Sequence, residues 1–244
     1  MLRRFLYRSS GSASRVIPVP EFDILDNPIW AALTTDHQAL ASSHGRARRY
    51  SAEVSPFVAL ETPTAAAFAD LSALVAREET VGMCTADPIE VPSGWQLLRT
   101  RPLEQMICPT LKTSVFSSPL ELGAADLPAM LVLTAATQPG PFHPATIQTG
   151  RYFGIRADDG RLVAMAGERL KAHPFTEISA VCTDPDFRGR GYAKSLVEFL
   201  INLIFSEGRT PFLHVKAENQ AVSLYQRLGF HIRRTMHLTL IARR

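Results

Sequence analysis

The sequence predicts an α/β protein built on a mixed sheet, and three observations carry that prediction. A turn with two glycines, Asp186 to Ala193, joins a strand-like run, Glu177 to Thr183, to an apolar helical run, Leu196 to Phe205. Upstream, Tyr152 to Arg156 and Leu162 to Leu170 flank Asp158-Asp159-Gly160, and Asp-Gly supplies the positive φ that a tight hairpin turn needs. Downstream, Phe212 to Lys216 reads as another strand, reached by a helical crossover long enough for parallel pairing.

Taken in order, Asn27-Pro28 places an N-cap residue before a proline at the first helical position. Trp30, Leu33, His37 and Leu40 then recur at helical spacing as far as Gly45. Phe57 to Leu60 suits a short strand, and Thr64 caps a second helix with Phe68, Leu71, Leu74 and Val75 on its apolar stripe. Prolines and turn residues are frequent from Glu78 to Pro119, with short strands expected near Val81–Cys84, Trp95–Thr100 and Ser114–Phe116. A boundary is drawn near residue 110, which separates an N-terminal α/β region (21–110) from a C-terminal domain (111–244).

Asp126-Leu127-Pro128 opens a helix that runs to about Ala136 and ends at Pro139-Gly140-Pro141. The helix after the glycine turn closes at Gly208. Asn219 caps a helix carrying Ala221, Leu224, Tyr225 and Leu228, stopped by Gly229. In the tail, Phe230, Ile232, Met236, Leu238 and Leu240 face one way in a half-buried strand, with Arg234 breaking the alternation.

Of the 244 residues, 46% are hydrophobic and 20% charged, as in a globular protein with a substantial core. No apolar run approaches the roughly 20 residues needed to span a bilayer, so no membrane association is expected. The net charge of +3 is mild and its Lys and Arg are scattered, apart from Arg46-Ala47-Arg48-Arg49 and the two ends, which gives no strong nucleic-acid footprint. The 3 cysteines, Cys84, Cys108 and Cys182, are far apart and match neither a disulfide framework nor a metal spacing. A reducing, cytoplasmic setting without a metal site follows. Residues 1–20 carry Arg3, Arg4, Arg8 and Arg15 and no acid, which reads as a disordered basic tail, although an organellar transit peptide has the same composition.

The glycine turn is where this chain would hold a phosphorylated ligand. A turn of this kind at a helix N-terminus frees backbone N–H groups, and with the positive end of the helix dipole they suit a pyrophosphate. Arg188 and Arg190 add charge beside it.

The motif Arg188-Gly189-Arg190-Gly191-Tyr192-Ala193 resembles the Gln/Arg-x-x-Gly-x-Gly/Ala acyl-CoA loop of the GCN5-related N-acetyltransferase (GNAT) superfamily. Asn219 after the next strand, and Tyr225-Gln226-Arg227-Leu228-Gly229-Phe230, are similar to that superfamily's downstream features. The wording of Glu177 to Thr183 and of Pro211 to Val215 is similar to the FR47-like branch, and the resemblance covers residues 115–244. It implies a mostly antiparallel mixed sheet, acetyl-CoA as acyl donor and an unidentified amine as acceptor, with direct attack of the amine on the thioester. It places the pyrophosphate on Arg188 to Ala193 and the pantetheine arm along Val181, Cys182 and Thr183 with Asn219. It makes Glu177, eleven residues before Arg188, the general base, and Tyr225 the general acid.

Each assignment has a plainer rival. Glu177 can be a solvated residue at a strand start, Glu168 is a second carboxylate for its role, Tyr225 can be core, and Asn219 can be a simple cap. Cys182 and His214 read as structural residues, and His143 sits in a loop that borders the acceptor. Three other functions stay open: transfer of a longer acyl group to an amino acid, an acyl-CoA-binding module without turnover, and nucleic-acid binding through Arg46–Arg49, which predicts a steep loss of binding with added salt. The final strand can pair within the chain or across a homodimer.

Overall fold

The computed structural model describes residues 22–111 and 119–244. The basic tail and the strand expected at Ser114–Phe116 lie outside the described residues.

After a short 3₁₀ turn, helix α1 (Pro28–Thr34) starts at the expected proline but stops ten residues short of Gly45. The hydroxyls of Thr34 and Thr35 turn back to bond the carbonyls of Trp30 and Ala31 at 2.7 and 2.6 Å, and the His37 N–H closes onto Ala32. The chain then forms β1 (Ala41–His44), turns at Gly45, and continues as β2 (Ala47–Tyr50) and β3 (Val58–Leu60) in a small antiparallel sheet. Thr64 caps α2 (Ala65–Ser72), accepting from the Ala67 N–H, and Phe68 and Leu71 are buried beneath it.

The main sheet is built from β4 (Thr80–Thr85), β5 (Trp95–Ile107), β6 (Leu120–Leu122), β7 (Tyr152–Arg156), β8 (Leu162–Ala172), β9 (Phe175–Thr183), β10 (Thr210–Lys216) and β11 (His231–Arg243). Their spatial order is β4-β11-β5-β10-β9-β8-β7-β6, and among the described residues β9 and β10 are the only two of these strands that pair in parallel. The sheet runs across residue 110, since β4 and β5 lie before it and pair with β10 and β11.

Helices α3 (Leu127–Thr137), α4 (Tyr192–Ser206) and α5 (Ala221–Arg227) complete the fold. Strand alternation separates two cores. Ile178, Leu213 and Val215 pack with Leu196, Val197 and Leu200 of α4, whereas Phe175 and Phe212 pack with Leu25, Ile29 and Phe57 of the N-terminal half. Along β11 the single alternating face does not hold. Two register shifts, at Ile232/Arg234 and Leu240/Ile241, change the phase, so Ile232 is exposed while Met236 and Ile241 are both buried.

Candidate active site

At the junction of β9 and α4 the chain makes a 3₁₀ turn over Pro185–Phe187, held by Asp184, whose carboxylate accepts from the Asp186 N–H. Gly189 and Gly191 follow with φ of 77° and 82°, a conformation that costs other residues roughly 1–2 kcal/mol. A Cβ built at either glycine would meet none of the described residues within 4 Å. The N–H groups of residues 189–193 find no acceptor among the described residues, and they sit at the positive end of a 15-residue helix. The loop therefore has the geometry of an anion cradle. Arg188 and Ala193 face the main cavity, while Arg190, Gly191 and Tyr192 face a neighbouring pocket beside β7, where Arg190 lies over the Phe187 ring at 4.6 Å.

That main cavity, of about 430 Å³, fills a notch in the sheet. β9 and β10 pair only from Thr210↔Phe175 to Phe212↔Glu177, after which β10 stays on β5 and β9 stays on β8. On the β8 side the register shifts between Met165↔Cys182 and Gly167↔Ser179, with Ala180 at a φ of 52°. Val181 is thereby released from the ladder, whereas Cys182 and Thr183 remain paired. The Thr183 hydroxyl is buried without a partner among the described residues, an unmet donor and acceptor on the cavity wall.

On the opposite wall Asn219 caps the Ala221 N–H through Oδ1 at 2.9 Å, and its Nδ2 points to no acceptor among the described residues. Tyr225 also lines the cavity, and burial pushes its phenol up to about 12. Burial likewise pushes the Cys182 thiol up to about 11, so it stays protonated and is no nucleophile at neutral pH.

Glu177 occupies the last paired position at the base of the notch, with its side chain 1% exposed. Arg169 grips its carboxylate through Nε and Nη2 at 2.8 and 2.7 Å, and His214 Nδ1 donates to it at 2.7 Å. Burial alone would raise the Glu177 pKa, but the charge and hydrogen bonds of Arg169, with those of His214, bring it down to about 2. Glu177 does not itself line the cavity; His214 does.

His214 was hidden in the sequence as one residue of an apolar strand. It lies two residues beyond Phe212, on the face opposite Leu213 and Val215, and is aimed at Glu177 by the strand pairing below it. Its Nε2 accepts from Gln105 Nε2 at 3.0 Å. The Gln105 amide cannot reverse, because its Nε2 also donates to the Leu25 carbonyl and its Oε1 accepts from Arg233. The imidazole thus carries its proton on Nδ1, and the single lone pair at Nε2 accepts the Gln105 N–H. Burial disfavours an imidazolium, but Cys84 and Glu177 outweigh it and raise the His214 pKa above the ordinary value; the Gln105 donor opposes that rise.

Other charged candidates are engaged elsewhere. Glu168 is buried under Arg151 and Lys171 at 2.7 and 2.9 Å. His143 bonds the Ala52 carbonyl at 2.7 Å. In the basic run 46–49, Arg49 is buried against Glu79 and the Leu74 carbonyl, and Arg48 lies over Trp30.

Residues 152–238 match the family described as FR47-like protein. The [ribosomal protein bS18]-alanine N-acetyltransferase of Salmonella typhimurium is 34% identical over 128 residues, which span 48% of this chain and 85% of that protein. A crystal structure of a GNAT-family protein from Novosphingobium aromaticivorans, 36% identical, superposes with a TM-score of 0.84 over 90% of this chain and 98% of its own. A GCN5-related N-acetyltransferase from Kribbella flavida shares the fold at a TM-score of 0.59, with 16% identity over 88% of this chain and 95% of its own. The chain belongs to the GNAT superfamily, in its FR47-like branch. It is an acyl-CoA-dependent N-acetyltransferase.

Proposed function

We propose that this protein moves an acetyl group from acetyl-CoA to an amine by direct attack, within the cavity between the glycine loop and His214. The observation that carries the reading is the continuity of one cavity from the anion cradle, past Thr183 and Asn219, to Tyr225 and His214. The cradle amides and Arg188 would hold the pyrophosphate, and the Thr183 hydroxyl and Asn219 Nδ2 would meet the polar groups of the pantetheine arm. When bound, acetyl-CoA supplies an activated acetyl group.

The chain's own residues then handle the protons. The Val181 N–H, freed by the register shift, can polarise a carbonyl beside it. On attack the amine N–H displaces the Gln105 N–H from His214 Nε2, which takes the proton, with Glu177 holding the imidazole in the required tautomer from beneath. Glu177 thus acts by positioning His214 rather than as the base itself. Tyr225, protonated at every working pH, donates to the departing thiolate.

Calorimetric titration with acetyl-CoA tests the donor end, beside a Gly191→Glu variant that puts bulk and negative charge into the cradle. The expected result is micromolar binding by the native protein, weakened about a hundredfold or more in the variant by strain and repulsion together. Release of CoA thiol across an amine panel then tests transfer. Absence of binding in the folded native protein would reduce the loop to a turn. Binding without transfer to any amine would favour the acyl-CoA-binding module.

A further inference from the structure

The two ends of the cavity are chemically unlike. Arg188, Lys216 and Asn219 line the donor end. The far end is walled by Ile29, Phe57, Cys84, Leu103 and Leu238, all but the last contributed by the N-terminal half. Among the described residues no aspartate or glutamate lines the cavity anywhere. Arg169, the cation at the far end, is already paired with Glu177 and stacks over the Phe57 ring at 5.3 Å.

This wall is also held in place. The loop after α3 is tied to residues 52–54 by three hydrogen bonds. Ala145 N donates to Glu53 O at 3.0 Å, Thr146 Oγ1 to Val54 O at 2.6 Å, and His143 Nδ1 to Ala52 O at 2.7 Å. The N-terminal half and the acceptor-side loop therefore form one latched enclosure around a preformed apolar recess.

Such a recess discriminates in two ways. Each methylene it takes from water favours binding about fourfold. A second ammonium brought into it would lose its hydration with no carboxylate to meet it, since the nearby Glu177 is already held by Arg169.

We infer that the N-terminal half is the acceptor-selecting element, and that it takes a small primary amine with an apolar body and no second positive charge, seated against Phe57, Leu103 and Leu238. This inference rests on the transferase reading above and concerns which amine is used, not whether one is.

The test uses the full chain at saturating acetyl-CoA, with CoA release followed for a series of n-alkylamines and phenethylamine. These are compared with α,ω-diamines of matched length, spermidine, and a basic peptide beginning with alanine. The same amines are titrated calorimetrically into the CoA-bound protein, so that acceptor binding is read apart from turnover. The expected result is a kcat/KM rising about fourfold per methylene and falling at least about tenfold when a terminal methyl becomes an ammonium, with binding following the same order. Leu103→Asp, at a half-buried position, should narrow or reverse the discrimination against diamines while leaving CoA binding intact. Equal use of diamines, or a preference for spermidine or the peptide, would overturn the acceptor assignment and leave the transferase standing. Transfer to no amine with acetyl-CoA bound would instead remove the transferase reading, and this inference with it.

Discussion

The donor and acceptor ends of the cavity are built on opposite principles. The donor end is mostly backbone: a short stretch of chain, Arg188 to Ala193, whose unpaired amides and left-handed glycines are set by local sequence. The acceptor end is a relay of side chains, Asp26–Arg233–Gln105–His214–Glu177–Arg169, drawn from six separate elements. A backbone cradle serves any ligand that carries the right anion. A side-chain relay fixes one tautomer of one imidazole. Within a single site, then, the generic function is locally encoded and the particular one is encoded by tertiary contacts.

The sharpest way to break this contrast is Tyr225→Phe, at the point where the two ends meet. Loss of a general acid should lower kcat by about 10²- to 10⁴-fold with the dissociation constant of acetyl-CoA unchanged, and calorimetry beside steady-state kinetics separates the two effects. An unchanged kcat would leave Tyr225 as core, T-stacked on Phe230.

Glu177→Gln comes next, and probes the relay as structure. It leaves Arg169 buried without its counter-charge, so unfolding in denaturant should show a loss of about 3–5 kcal/mol. The native carboxyl titrates at about 2, below its ordinary value of 4.5. Its contribution to stability is therefore complete above about pH 4.5 and is lost as the pH falls through about 2. The variant should lack that acid-side slope.

A finer probe is Gln105→Leu, which removes the donor that opposes protonation of His214. The ascending limb of the pH–rate profile should move up by about one unit, the worth of one hydrogen bond. The smallest effect is expected at Arg46, paired with Glu61 at 4.0 Å on an exposed surface. Arg46→Ala should change stability by less than about 0.5 kcal/mol, and a large loss would contradict the division between a structural Arg49 and a solvated Arg46.

The same contrast explains what could be read in the sequence. The glycine turn, the Asp-Gly hairpin, the Thr64 cap and the strand–helix order after residue 150 depend on neighbours in the chain, and the structure places each where periodicity and turn chemistry put it. The FR47-like family match over 152–238 covers this same local region. The early end of α1 was not legible, because Thr34 and Thr35 compete with the helix through their side chains. Nor was the joining of β4 and β5 to the sheet beyond residue 110, since antiparallel partners such as Leu238↔Cys84 are far apart in sequence. His214 was concealed for the same reason: only the pairing of Phe212 with Glu177 shows which carboxylate it meets. Glu177 could be found by spacing, but its burial under Arg169 could not.

The pH dependence of kcat/KM tests the account most directly, measured with a weakly basic amine whose own ionisation lies below the range examined, in the native protein and in His214→Ala. The account predicts an ascending limb in the native enzyme centred above the ordinary imidazole value of 6.5. In the variant that limb should be absent, with acetyl-CoA binding unchanged. The same limb in both proteins would contradict His214 as the group that takes the proton.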